Sequence, residues 1–281
     1  VQVLLLGILD MNILYKYCDK GIVDILESLE LKLPYVSEVN DPLECLPFFY
    51  CPNDKPAIEA RYIAALKRKG KSLPTGYEQA LDGLYQKGEI QKELAKSSLK
   101  CQKNLNQKHC LLSVSKTARN TVMWAHYANK HKGAIIGIDF DSIFPSNGIQ
   151  MDSVDYSKQR PKINILTDFE TPPEAFLRTI LIKSSEWKYE QELRTVFSVD
   201  TLGGLKKQEL ACLKNFNGKK TWFLKLNPES IRKVLFGLFT EDSLKQAVRN
   251  LIKRTELQHV KLYQAEESKT YTLNLVEIND R

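Results

Sequence analysis

"SEWKYEQELRTVF", residues 185–197, decides how this chain is read. In a strand, alternate side chains share a face. Glu190, Glu192 and Arg194 then project to one side. Trp187, Tyr189, Leu193 and Phe197 project to the other, with Gln191 and Thr195 between them. The plain interpretation is a solvated face carrying a Glu–Arg pair of little energetic weight. The sharper one is a catalytic Glu-x-Glu strand.

Outward from that stretch, strand-like runs recur at "CLLSVS" (110–115), "AIIGIDF" (134–140), "VDYS" (154–157), "KTWFLKL" (219–225), "KVLFGL" (233–238), "HVKLYQA" (259–265) and "TYTLNLVEI" (270–278). "NILYKY" (12–17) opens the series, followed by helical spacing in "GIVDILESLE" (21–30) and an extended "LKLPYVS" (31–37). The Asn40-Asp41-Pro42 run is a turn signal. "TARNTVMWAHYANKHKG" (117–133) is predicted as a helix closed by Gly133, and "PPEAFLRTILIK" (172–183) as another with Pro near its start. Residues 55–108 differ in kind. They are rich in Lys, Glu, Gln and Ala, with Ile58, Tyr62, Leu66, Tyr77, Leu81 and Leu84 at helical spacing. Several strands are adjacent in sequence without steady helix alternation. The expected fold is therefore α+β, with a mixed, largely antiparallel central sheet that includes residues 12–17, 110–115, 134–140 and 188–198, flanking helices and a helical excursion over 55–108. One domain over 1–281 is expected. No Walker loop and no Gly-x-Gly-x-x-Gly occurs.

The 281 residues are 43% hydrophobic and 27% charged, an ordinary composition for a chain with a sizeable core. No apolar run approaches the roughly 20 residues that span a bilayer, so no membrane partner is expected. The net charge of +7 suits an anionic ligand such as a nucleotide or RNA without requiring one. Six cysteines contain no Cys-x-x-Cys, and His126 and His131 are too poorly aligned on a helix to share a metal, so no metal is expected. Lacking a secretory signal, the chain reads as cytoplasmic with free thiols. The run before Met11 has neither a basic n-region nor a cleavage site; residues 1–10 read as a non-native extension, with Met11 the expected start.

Three places invite chemistry. Lys16, between Tyr15 and Tyr17, could hold a phosphate or ribose; the alternative is a surface lysine on an edge strand. Ser113 and Ser115 share a strand face, where short hydroxyls let a ligand approach and still donate hydrogen bonds. On the helix that follows, His126 could transfer protons near its reference pKa of about 6.5, and Tyr127 could contact a ligand. Both are equally readable as core residues bonded to the backbone. The third place is the opening stretch, where Arg194 and Lys183 are the cations available to Glu190 and Glu192.

Successive blocks, "LYKY…ILESLELKLPYVSEVNDPLE", "SVSKTARNTVMWAHYANKHKGAIIGIDF", "VDYS" and "KSSEWKYEQELRTVF", resemble a bacterial family known as domain of unknown function 2971. That family is largely uncharacterised and implies no activity. A more distant likeness is to ADP-ribosyltransferases. These place, in order, a basic or His residue on an early strand, a Ser-x-Ser strand lining the nicotinamide-ribose pocket, and a late Glu/Gln-x-Glu strand. Lys16, Ser113-x-Ser115 and Glu190-x-Glu192 follow that order. The resemblance implies an ADP-ribosyltransferase-like enzyme that uses NAD to modify a protein or nucleic acid, in the manner of a bacterial toxin or phage-defence effector. It implies Glu192 as the catalytic carboxylate with Glu190 its helper, His126 nearby, and Lys16, Tyr17, Ser113, Ser115 and Tyr127 against NAD. Lys in place of the usual Arg or His, and the lack of an identifiable aromatic turn, depart from the pattern. The competing readings are a binding module with a structural Glu/Arg network, and a His126-dependent nuclease or hydrolase.

Overall fold

The computed structural model describes residues 13–73, 75–143, 150–167 and 172–278. The expectation about residues 1–10 lies outside them. The described chain forms two compact units. The first draws on the spans Val1–Pro34, Cys110–Val154 and Glu186–Arg281, the second on Tyr35–His109 and Asp155–Ser185.

The first unit is built on an eight-stranded sheet. Its strands run, edge to edge, Leu273–Ile278, Lys261–Glu267, Ile231–Phe236, Ala134–Asp139, Ile13–Cys18, His109–Ser115, Glu192–Ser198 and Asp152–Ser153. One pair, Ile231–Phe236 with Lys261–Glu267, is parallel; five other pairings are antiparallel. The expected α+β architecture, helices with a large mixed and mostly antiparallel sheet, is thus observed. The four strands expected at its centre all lie in this sheet. The buried run Ala134–Ile138 sits between two partners, which explains its unbroken apolar character. A second, three-stranded sheet joins Ala211–Phe216, Lys219–Lys225 and Glu30–Leu33.

The helix on the Tyr17 side is shorter than its periodicity suggests. It spans Thr121–Tyr127, not 117–133. Asn120 caps it, its side chain accepting from Val122 N at 2.9 Å and Met123 N at 3.1 Å. Asn129, Lys130 and His131 then take positive φ of 46°, 54° and 66°, which no helix continues. Gly133 does not close the helix; it is needed for space. A Cβ there would lie 2.2 Å from the carbonyl oxygen of Cys18. Trp124 is fully buried, donates its indole N–H to Ala118 O at 2.8 Å, and meets Tyr17 edge to face at 5.7 Å. A buried indole of this kind contributes roughly 3–5 kcal/mol against truncation.

The opening stretch departs most from expectation. Residues Ser185–Glu190 form a 3-10 helix, and the strand is Glu192–Ser198 rather than 188–198. Gln191 separates them with φ 46°. The alternation that would put Glu190 and Glu192 on one face is therefore broken between them.

In the second unit three helices, Lys55–Arg68, Tyr77–Gln86 and Glu89–Asn106, realise the helical excursion. Asp54 caps the first by accepting from Ala57 N at 3.1 Å. Ile58, Leu81, Ile90 and Leu94 pack with Ile165 and Leu166, so the unit recruits residues from beyond the excursion. Short parallel pairs join Phe48–Tyr50 to Lys162–Asn164 and Asp155–Ser157 to Ile182–Ser184.

Candidate functional site

The Lys16, Ser113 and Glu192 strands are neighbours in the first unit's sheet. Tyr15 pairs with Ser115. Tyr15, Tyr17, Ser113 and Ser115 therefore share one face, and Lys16 leaves the sheet on the other. Two neighbourhoods result.

On the Lys16 side, Lys16 Nζ donates to the backbone carbonyl of Ser113 at 2.9 Å. Burial holds its pKa below the ordinary lysine value, against the opposing pull of Cys18 and Glu192. Glu192 is gripped by Arg194 two residues along the same strand, Nε to Oε1 at 2.8 Å and Nη2 to Oε2 at 2.9 Å. Both are buried, at 7% and 2% exposure. A bidentate fork of this geometry fixes both oxygens at once. Burial pushes the neighbouring Cys18 thiol up to about 12.

On the Tyr17 side, Ser115 Oγ donates to the carbonyl of Glu190 at 2.6 Å and accepts from Thr117 N at 3.1 Å. Tyr17 OH donates to Thr117 O at 2.9 Å, and burial raises its pKa above the usual phenol value. Tyr127 OH donates to Glu190 Oε1 at 2.6 Å. Glu190 itself is 3% exposed. Beside this pair His126, on the exposed face of its helix, lies 6.1 Å from Trp187 and 6.2 Å from Tyr189, ring centre to ring centre. Trp187 and Tyr189 are 6.0 Å apart.

The expected grouping is thus split. Lys16 and Glu192 come together; Ser115, Tyr127 and Glu190 come together; His126 borders the second set. The side chains of Ser113 and Lys16 leave opposite faces. Glu190 and Glu192 do not share a strand face, because the left-handed Gln191 lies between them. Lys183 pairs with Glu44 in the second unit, Nζ to Oε2 at 3.5 Å.

Three contributors were missed by sequence reasoning. Trp187 and Tyr189 are expected on the apolar face of a strand, yet they lie in the 3-10 helix and form an aromatic group with exposed His126. Asn120 was passed over, although it caps the helix and also donates from Nδ2 to Tyr189 O at 3.3 Å. An Asn directly before an apolar helical run was the available signal. Among the described residues, no group of three or more His, Cys, Asp or Glu is placed to hold a metal ion. Among them too, no helix is long and apolar enough to cross a membrane.

The site is a carboxylate beside an aromatic group on a mostly antiparallel α/β sheet. Residues 123–195 match the family described as protein of unknown function (DUF2971). The match takes in both Met123-Trp124-His126-Tyr127 and Trp187–Arg194, the blocks that build this site, and leaves the Asn40-Asp41-Pro42 block outside. No curated protein and no solved structure matches the chain.

Proposed function

We propose that the first unit carries an ADP-ribosyltransferase-like activity that uses NAD to modify a protein or nucleic acid. The observation that carries this reading is the gathering of Ser115, Tyr127 and Glu190, distant in sequence, beside the rings of His126, Trp187 and Tyr189. The chemistry required is modest. The bond from ribose to nicotinamide breaks, its electron pair leaves on the nicotinamide nitrogen, and positive charge develops on the ribose. A nearby carboxylate stabilises that charge until the acceptor's lone pair closes the new bond and its proton is lost.

Glu190 is better placed for this role than Glu192. Both oxygens of Glu192 are already committed to Arg194. Glu190 stands on the same side as Ser115 and the rings of His126, Trp187 and Tyr189, which offer a stacking surface to a nicotinamide or adenine ring. Tyr127 then orients Glu190, and the Glu192–Arg194 fork anchors the strand. The net charge of +7 suits a dinucleotide and an anionic acceptor.

The test is nicotinamide release from NAD, followed by chromatography with and without bacterial lysate as acceptor. The expected result is release by the wild type and a loss of about a hundredfold or more in Glu190→Gln, with the melting temperature kept. A wild type that releases no nicotinamide, or a Glu190→Gln variant of undiminished rate, overturns the reading. A second reading is favoured by the Arg194 fork itself: the sheet is a binding module and its buried ions are structural. It forecasts no NAD turnover and a fold that fails when the fork is broken.

A further inference from the structure

Two features of the sequence take no part in the chemistry above: the Asn40-Asp41-Pro42 turn and Lys183. Both belong to the second unit, and Asp41 and Lys183 line one cavity there of about 180 Å³. At roughly 30 Å³ of liquid volume per water, that space holds one tetrahedral ion with some of its hydration.

Its lining is built by two chain crossings. The parallel strands Asp155–Ser157 and Ile182–Ser184 set Ser157 directly beside Ser184. Immediately after the first strand, the chain supplies Lys158 and Arg160 to the same cavity. Lys183 and Glu44, whose side chains are only 4% and 1% exposed, form an ion pair at 3.5 Å in the wall. That pair is close to neutral as a unit. The remaining lining charges are Lys158 and Arg160 against Asp41, an excess of one positive charge. Ser157 and Ser184 add hydroxyl groups able to donate. Arg160 adds a planar fork matched to paired oxygens, and Lys158 a mobile point charge. Both basic side chains are exposed and can close on a ligand at little structural cost.

We propose that this cavity is a binding site for a compact oxyanion, of which a phosphate group is the best fit. A phosphate offers enough oxygens to engage Arg160, Lys158 and both hydroxyls together; a carboxylate has two. Nothing in this assignment depends on NAD chemistry in the first unit.

The experiment is calorimetric titration of the full chain with inorganic phosphate, ionic strength held constant with sodium chloride. A thermal-melt series is run in parallel. Saturable binding with a dissociation constant in the millimolar range or below is expected, with a melting temperature that rises with phosphate. The double variant Lys158→Gln/Arg160→Gln should melt like the wild type without phosphate and bind at least tenfold more weakly. Methyl phosphate and acetate serve as competitors. Displacement by methyl phosphate and not by acetate assigns a phosphoryl group carried on a larger molecule. Equal displacement by acetate keeps the oxyanion site and assigns it to carboxylates. No saturation, or equal binding by the double variant, overturns the proposal, the second result because it moves the phosphate to another part of the chain.

Discussion

Each unit buries a carboxylate against a cation, and the two pairs are built differently. In the first unit Arg194 grips Glu192 from two residues away on the same strand, with two contacts of 2.8 and 2.9 Å. In the second, Lys183 approaches Glu44 at 3.5 Å from a distant part of the chain. The guanidinium is a rigid fork that satisfies both oxygens; the ammonium is a point charge on a flexible stem. The first arrangement closes on itself and suits a clamp. The second pair borders a cavity with further charges around it and suits a ligand wall. Ion pairs of similar burial can thus serve opposite ends, and the geometry of the cation distinguishes them.

Breaking the clamp gives the largest expected effect. Arg194→Met leaves Glu192 buried without its fork and should cost about 3–5 kcal/mol, read from urea denaturation midpoints. Arg194→Lys should recover only part, since one ammonium cannot reproduce two parallel contacts. Glu192→Leu combined with Arg194→Met should restore most of the loss, because an apolar pair of similar volume removes both desolvation costs. If Arg194→Lys proves neutral, the distinction between the two pairs collapses.

A smaller effect separates the surroundings of the clamp by pH. Cys18 lies near Lys16 in that neighbourhood, and burial lifts its thiol from 9.0 to about 12. The folded chain holds this proton where the unfolded chain has lost it. The stabilisation from Cys18 is therefore complete below about pH 9 and is lost as pH rises toward 12. Each pH unit in that window is worth about 1.4 kcal/mol, so about 2 kcal/mol should vanish by pH 10.5. Tyr17, also raised, adds a loss of the same sign above pH 10. Lys16 is lowered from 10.5, so the unfolded chain binds the extra proton and stability from this group rises with pH. The Cys18 share is isolated as the gap between wild type and Cys18→Ala, which should narrow by about 2 kcal/mol from pH 9 to 10.5. A constant gap would remove Cys18 as its source.

Much of the fold was legible because it rests on local patterns. The run Ala134–Ile138 is continuously apolar because it is paired on both edges, and the helices of residues 55–108 display their spacing openly. The over-long strand and the helix carried past its end share one physical origin. Gln191, Asn129, Lys130 and His131 are not glycines, yet all take positive φ. Periodicity assumes a uniform backbone and carries straight through such residues, so the strand was extended to 188 and the helix past 127. At the site that single fault mattered most, since Gln191 sends Glu190 and Glu192 to different neighbours. The Lys183–Glu44 pair was illegible for another reason: its partners are joined only by the tertiary fold.

The smallest expected effect is also the one that tests whether the first unit's two carboxylates are truly unlike. Tyr127 OH meets Glu190 Oε1 at 2.6 Å, a short contact of a neutral donor with a carboxylate. Deleting the hydroxyl in Tyr127→Phe keeps the ring against Trp124 and its neighbours in the core. The stability loss should be about 1.5 kcal/mol, the net worth of one hydrogen bond to a charged group, well below the loss for Arg194→Met. If Tyr127 serves to orient Glu190 toward a ribosyl cation, the same variant should slow nicotinamide release about tenfold with little change in KM, since substrate binding by the rings is untouched. A purely structural Tyr127 predicts the stability loss alone, with any turnover unchanged. A stability loss as large as that of Arg194→Met would mean that Glu190 is clamped as firmly as Glu192, and the contrast between the two carboxylates would be gone.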